Sequence, residues 1–437
     1  MSDVFAALTA EIDKVGAIFP VGKVAQIGRG TLRVTGLERL AGLGDRVRIG
    51  NSMAGEVLGL DPDGMIVLPD GMTEGLGIGT PVRLDGQGAI CPDISWIGRV
   101  IDPFGQPLDG RPLFPGPVPR PLRSPAPAAA TRRRLGARVK TGTAAFDTLL
   151  PLVRGQRIGL FAGSGVGKST LLAKFAKGVD ADLVVIALIG ERGRELREFT
   201  ERVLGAEGLA RAIVVTATSD QSALMRRRCA WAAMAVAEHF RDQGLHVLLL
   251  ADSVTRFAEA HREVALSVGE EASLRGYPPS LSPAIMGWAE RAGPGPEGSG
   301  DITAVFSVLV AGSDMDEPVA DILRGVLDGH VVMDRKIAER GRYPAIDLLR
   351  SVSRSLPDAA SEDENILIAA ARRYLGAYDR AEMMIQAGLY SKGSDPVIDA
   401  AMRVWAGLDG FLAEDAPDTG VAGSFARLAE VLAKARG

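Results

Sequence analysis

The feature that most restricts this chain is the run Ala162-Gly163-Ser164-Gly165-Val166-Gly167-Lys168-Ser169-Thr170, directly after the apolar stretch IGLF and directly before LLAKFAK. Strand, glycine loop and helix in that order form the context a phosphate-binding loop requires. Gly163, Gly165 and Gly167 let the backbone fold tightly enough that successive N–H groups from Gly163 to Thr170, together with the helix N-terminus, converge on phosphate oxygens. Lys168 is placed to reach the β and γ phosphates, and Ser169 to offer its hydroxyl to magnesium. The strict pattern has glycine where Ala162 stands; every other element of it is intact.

The surrounding pattern agrees with this loop. From Val139 to about Asp358, apolar runs alternate with helical stretches, the signature of a parallel sheet covered by helices. The strands are expected at 158–162, 183–189, 212–217, 247–251 and 302–311. Before this region, from about Val21 to Leu84, short apolar runs are cut by glycines at close, regular spacing, which predicts a small β-barrel or sandwich. Between Pro103 and Pro127 lie nine of the chain's 25 prolines, followed by the triplet Arg132, Arg133, Arg134. Proline fixes φ and lacks a donor, so an extended connector with a solvated arginine surface is expected. After about Ser361 strand patterns end and an Ala-rich helical domain runs to the C-terminus. The expected organisation is a helix over 1–18, a barrel over 19–92, a nucleotide-binding domain over 93–358 and helices over 359–437.

Hydrolysis needs more than a phosphate loop. Asp252 follows VLLLA and Glu191 follows LVVIALIG, so both stand at the carboxyl ends of buried strands, where ligands gather in open parallel sheets. Lys168, Glu191 and Asp252 therefore fall on one edge, with Asp252 suited to the magnesium shell, partly through water, and Glu191 to polarising an attacking water. Arg192 stands beside Glu191.

Composition removes several classes. The chain has 437 residues, 46% hydrophobic and 24% charged, with 50 basic against 54 acidic side chains. These values exclude wholesale disorder and offer no strong nucleic-acid footprint. Cys91 and Cys229 form neither a disulfide framework nor a metal signature, which fits a reducing compartment and two inert thiols. No apolar run approaches the ~18 residues of a bilayer span, and the opening MSDVFAALTAEIDKV lacks the basic flank and apolar core of a signal peptide. A cytoplasmic protein, or one on the cytoplasmic face of a membrane, is expected. Phe5, Leu8, Ile12 and Val15 lie on one helix face, which either docks on the protein's own body or binds a partner.

In order along the chain, GLFAGSGVGKSTLL, IGERGRE (189–195), LLLADSVTRFA (248–258), RGYPPS (275–280), ERAG (290–293), ERGRYPAID (339–347) and SVSR (351–354) resemble the catalytic subunits of rotary ATP synthases. They are most similar to the flagellar protein export ATPases of type III secretion. The resemblance runs from about Gly22 to Arg354, with a weaker helical tail. It implies an α/β fold with a RecA-like P-loop NTPase core, an N-terminal small β-barrel and a C-terminal helical domain. It also implies ATP/ADP and Mg2+ as ligands, with Lys168 and Ser169 on phosphate and magnesium, Glu191 as the catalytic carboxylate and Asp252 as the second magnesium-shell acid. Arg192 and Arg256 match phosphate-side positions, Tyr343 the aromatic stacked on adenine, and Arg354 the arginine finger acting on a neighbouring subunit's γ-phosphate. Because one chain carries both Glu191 and Arg354, identical subunits can complete one another's sites in a homohexamer.

By the same resemblance the leading helix would dock a regulator or stalk protein, and the ring would act at the inner membrane's cytoplasmic face on export chaperones, substrates and a membrane gate. Flagellar export is favoured over the injectisome by likeness in the 189–354 span. A subunit of a proton-driven synthase is disfavoured by the AGSGVGKS and D-S-x-T-R-F-A wording. An RNA translocase is disfavoured because residues 21–84 hold no Phe, Tyr or Trp for base stacking. Glu191 argues against a non-catalytic scaffold. The segment GPGPEGSGD (293–301) is expected as a mobile loop without a catalytic role.

Overall fold

A computed structural model describes residues 19–28, 30–310 and 315–436; the amphipathic helix expected over 1–18 lies outside the described residues. Six short strands, β1 (Val21–Ile27), β2 (Leu32–Thr35), β3 (Asp45–Ile49), β4 (Met53–Asp61), β5 (Gly64–Pro69) and β6 (Pro81–Gln87), close into an antiparallel barrel in the order β1-β2-β5-β4-β3-β6. Side chains alternate across a strand, so closure turns Val24, Val34, Val47, Val57, Val67 and Val82 into one small core. The apolar runs expected between Val21 and Leu84 are these strands.

The proline-rich stretch is an extended connector with anchors. β7 (Ala89–Ile90) pairs with β9 (Arg120–Pro121), and between them β8 (Arg99–Ile101) joins the edge of the large sheet. The arginine triplet is not the solvated surface expected of it. Arg132 ion-pairs with Glu290 at 3.2 Å, and Arg133 donates to the Ser299 and Gly300 carbonyls and to Asp301 Oδ1 at 2.6 Å. Arg134 alone is exposed.

The large sheet contains β10 (Arg157–Ala162), β11 (Leu183–Glu191), β12 (Ala212–Thr218), β13 (His246–Asp252), β14 (Gly293–Pro294), β15 (Asp301–Leu309), β16 (Gly329–Met333) and β17 (Ile346–Ser353). Its order is β17-β16-β10-β15-β13-β11-β12-β8, with β14 paired to β15 off this path. All neighbours along the order are parallel except β17, which runs antiparallel to β16 at the edge. Helices cover both faces, which is why the inner strands read as continuous apolar runs. One face packs on Leu171, Leu172 and Phe175 of the helix Lys168–Gly178, the other on Phe240 and Phe257 of the helices Ala223–Arg241 and Val254–Ser267.

The glycine-rich segment differs from expectation. Gly293 and Pro294 form β14, Gly300 N–H donates to the Arg241 carbonyl at 2.7 Å, and a Cβ at Gly300 would lie 1.8 Å from the Leu245 carbonyl oxygen. The glycines permit close backbone packing here, where a free loop was expected. Three helices, Glu362–Gln386, Pro396–Phe411 and Gly420–Ala433, complete the chain; the first is started by a Ser361/Glu364 capping box and the second by Asp395 ahead of Pro396. Ile368, Leu408, Phe411 and Leu428 join them to the core beneath the sheet. Among the described residues no helix is long and apolar enough to cross a membrane.

Candidate active site

The sheet order places three strand ends side by side. β10 ends in the glycine loop, where Gly165 and Gly167 adopt left-handed φ of 77° and 87° and the helix begins at Lys168. β13 ends in Asp252 and β11 in Glu191, so the parallel register delivers both acids to the edge occupied by the loop. The Lys168 ammonium contacts Asp252 Oδ1 directly, and the Ser307 hydroxyl, from β15 between β10 and β13, donates to the same oxygen at 2.6 Å. Asp252 is buried, so this pair of donors satisfies a carboxylate that would otherwise be costly.

Glu191 is less well compensated. Burial first, then the charge of Asp252, with a hydrogen bond and like charge from Glu195 as well, push its carboxyl up from 4.5 to about 7 against the pull of Lys168. A carboxylate near neutrality is basic enough to take a proton from water yet ionised for part of the time, which is what a general base at this pH needs. Arg192 extends into the cleft and pairs with Glu195 at 3.2 Å, while Arg256 pairs with Glu259 at 2.8 Å. Gly190, at φ 69°, leaves room for Arg256: a Cβ there would lie 3.3 Å from the arginine's own Cβ.

These groups line an open cleft of about 1080 Å³ that includes Gly163, Ser164, Gly165, Gly167, Lys168, Ser169 and Thr170; Val166 faces inward and is buried. An adjoining cavity, sharing Ser169, Thr170, Glu191 and Glu195, is lined by Asp252. The Ser169 hydroxyl with the Asp252 carboxylate is a hard-oxygen set. It suits Mg2+, which takes one or two carboxylates and fills its other positions from water and phosphate. Tyr343 is half exposed and stands over the loop, its Cδ1 3.1 Å from where a Cβ on Gly167 would be.

Arg354 is the one expected site residue that the chain keeps apart. Its N–H donates to the Asp328 carbonyl at 2.9 Å, and Asp328 in turn accepts from Arg157 N–H at the start of β10. The six residues of β10 separate that point from the glycine loop, about 20 Å at ~3.3 Å per residue. The Arg354 side chain is exposed and donates to the Arg324 carbonyl at 3.1 Å.

Several residues of the site were not assigned from the sequence. Arg226, Arg262, Arg275, Tyr277 and Glu317 line the cleft, and Ser307 anchors Asp252. Tyr277 and Arg275 lie in the RGYPPS run, and Ser307 is, with Thr303, one of two polar residues inside the apolar run ITAVFSVLVA, so all three carried a signal. Arg226 and Glu317 carried none.

The glycine loop on a helix-covered parallel sheet defines a P-loop enzyme that uses a nucleoside triphosphate. Residues 142–353 match the ATP synthase alpha/beta family, nucleotide-binding domain, and residues 360–429 the type III secretion EscN ATPase C-terminal domain. A flagellum-specific ATP synthase of Caulobacter vibrioides is 44% identical, covering 98% of this chain and 99% of its own. A type 3 secretion system ATPase of Sinorhizobium fredii is 46% identical over 84% of this chain and 81% of its own. The assembled ATPase EscN from the enteropathogenic E. coli type III secretion system superposes with a TM-score of 0.85 at 36% identity, covering 94% of this chain and 100% of that one. The chain belongs to the ATP synthase alpha/beta family, in the group of flagellum-specific ATP synthases and type III secretion ATPases, and is an ATPase of that group.

Proposed function

We propose that this ATPase works as a homohexameric ring in flagellar protein export, with each active site shared between two subunits. The observation that carries this reading is the separation within one chain. Lys168, Glu191 and Asp252 meet at one end of the sheet, while Arg354 stands about 20 Å away at the other, where it can serve only another copy. The assembled form of EscN supports the ring. The match to the Caulobacter flagellum-specific ATP synthase, over 98% of this chain, supports the flagellar system over the injectisome.

In this reading the loop from Gly163 to Thr170 cradles the phosphates, and Lys168 exchanges its contact with Asp252 for the β and γ oxygens. Arg192 and Arg256 line the phosphate side, and Tyr343 offers its ring to adenine. Ser169 directly, and Asp252 through water, would hold Mg2+, which supplies neutralisation of phosphate charge when bound. Glu191 accepts the proton of the attacking water. Arg354 of the neighbouring subunit offsets the charge that develops on the γ-phosphate.

The complex of EscN with its central stalk EscO supports a stalk partner; the N-terminal segment is the proposed docking site for a regulator or stalk, and deleting residues 2–15 is expected to abolish that binding. Export chaperones, substrates and a membrane gate complete the setting, with the ring in the cytoplasm against the inner membrane. Steady-state hydrolysis per subunit, measured with light-scattering mass over a wide range of protein concentration, tests the ring. Specific activity is expected to rise as the mass approaches six subunits; equal activity from a monomer would contradict it.

A further inference from the structure

The segment that presents Tyr343 is braced from behind by the C-terminal helices. Arg342 is buried, and its guanidinium donates from Nη1 to the Pro344 carbonyl at 2.9 Å and from Nη2 to the Ile346 carbonyl at 2.7 Å. Its Nε lies 3.0 Å from Asp409 Oδ1 on the helix Pro396–Phe411. That Nε makes no hydrogen bond, so the contact with Asp409 is one of charge. Two residues earlier, Arg340 approaches Glu382 of the helix Glu362–Gln386 at 3.6 Å and lies over the Trp405 ring, which is stacked on Tyr378 with centroids 4.6 Å apart.

The geometry of Arg342 is specific to bracing a bend. The fork closes on carbonyls one and three residues past Tyr343, so the main chain on the far side of the tyrosine is tied to the residue immediately before it. A planar guanidinium presents its donors in a rigid fork, so two carbonyls and a carboxylate fix its orientation as well as its position, which a freely rotating ammonium does not. Asp409 opposes the burial that would otherwise weaken the arginine's charge. Both ion pairs border a cavity of about 430 Å³ lined by Arg340, Arg342, Asp347, Tyr378, Trp405 and Asp409. Tight apolar packing therefore does not fix the segment from that side, and the polar contacts must do so. On the other side the Tyr343 ring meets Gly167 of the phosphate loop.

We infer that Arg342, held by Asp409 of the C-terminal helical domain, is a positioning residue for the base of the nucleotide: it sets the orientation in which the Tyr343 ring meets adenine. This rests on the reading of Tyr343 as the base platform. It assigns to the helical domain a part in nucleotide affinity that acts through the base and leaves the phosphate contacts untouched.

The test compares KM and kcat for ATP with inhibition by inorganic tripolyphosphate, which carries phosphates and no base, in the full-length chain. Asp409→Asn is expected to raise KM for ATP about fivefold, the lower end of typical coupling between sites, with kcat and the tripolyphosphate Ki both close to wild type. Arg342→Lys, which keeps a charge for Asp409 and loses the fork, should give the same pattern, and Asp409→Glu should restore the wild-type KM. In a Tyr343→Leu background, Asp409→Asn should add nothing. An unchanged KM in both Asp409→Asn and Arg342→Lys would overturn the inference, as would a parallel rise in the tripolyphosphate Ki, because that would mean general damage to the site. If Tyr343→Leu itself leaves KM unchanged, the base-platform reading fails. If Tyr343→Leu raises KM and Asp409→Asn does not, only the positioning role fails.

Discussion

The two ends of the central sheet are built differently. At the carboxyl end of the parallel strands, Lys168, Asp252 and Ser307 touch one another and Glu191 is held near them at an unfavourable charge. At the opposite end, beside the start of β10, the exposed Arg354 donates to the main-chain carbonyls of Asp328 and Arg324. The first end is a site that a single chain can assemble for binding. The second is an arginine fixed at its backbone, with an exposed side chain that makes no ion pair among the described residues. In the proposed reading the first end binds nucleotide and also holds Glu191, while turnover needs in addition the second end of a neighbouring copy, so binding and turnover should separate on mutation.

The largest effect is expected where the separation is most complete. Arg354→Ala should lower kcat by about 10³ or more, the range of an arginine finger, while equilibrium binding of ATP stays at its wild-type level; a matching loss of affinity would erase the distinction between the two ends. Next, Glu191→Gln should lower kcat by roughly 10² to 10⁴, the usual contribution of a general base, again with binding preserved in a fluorescent-nucleotide titration. Ser307→Ala sharpens the account of the binding end. It removes the hydroxyl from the buried Asp252 oxygen, and kcat/KM should fall roughly tenfold, as for other groups that orient a ligand from behind.

The smallest effect concerns stability. The Glu191 carboxyl is raised from 4.5 to about 7 in the fold, so the folded chain binds more protons than the unfolded one between those values. Its cost to stability is absent below 4.5, grows as pH rises towards 7 and is complete above it. Glu191→Gln removes that cost. The variant, without nucleotide, should melt about 2 °C above wild type at pH 8, a figure kept small because the group is partly exposed and screened. The difference should shrink as pH falls to 5. A constant offset at both pH values would assign it to packing instead of charge.

The binding end was legible in the sequence for a physical reason. Strands buried on both faces are continuous apolar runs, and whatever polar residue follows such a run lies at the ligand edge. Thus Lys168, Glu191 and Asp252 could be grouped without coordinates. The edge strands were harder: β16 and β17 carry His330, Arg350 and Ser351 among their apolar residues, and β8 is three residues separated from β10 by the proline-rich connector. The partners of Arg132 and Arg133 lie more than 150 residues onward, a distance over which charge pattern alone does not specify pairing. Nor does charge pattern pair Arg342 with Asp409, which stand on separate segments. Arg354 could be singled out by resemblance, but its separation from Lys168 follows only from the antiparallel turn of β17 at the sheet edge.

The most direct measurement mixes two inactive proteins. Glu191→Gln subunits keep Arg354, and Arg354→Ala subunits keep Glu191, so rings formed from equal amounts of both contain complete sites wherever one type faces the other in the right order. ATP hydrolysis should reappear on mixing, approaching the activity of about a quarter of the interfaces for random assembly of a symmetric ring. Mixed rings, verified by native mass, that remain as inactive as either parent would contradict an active site shared between subunits.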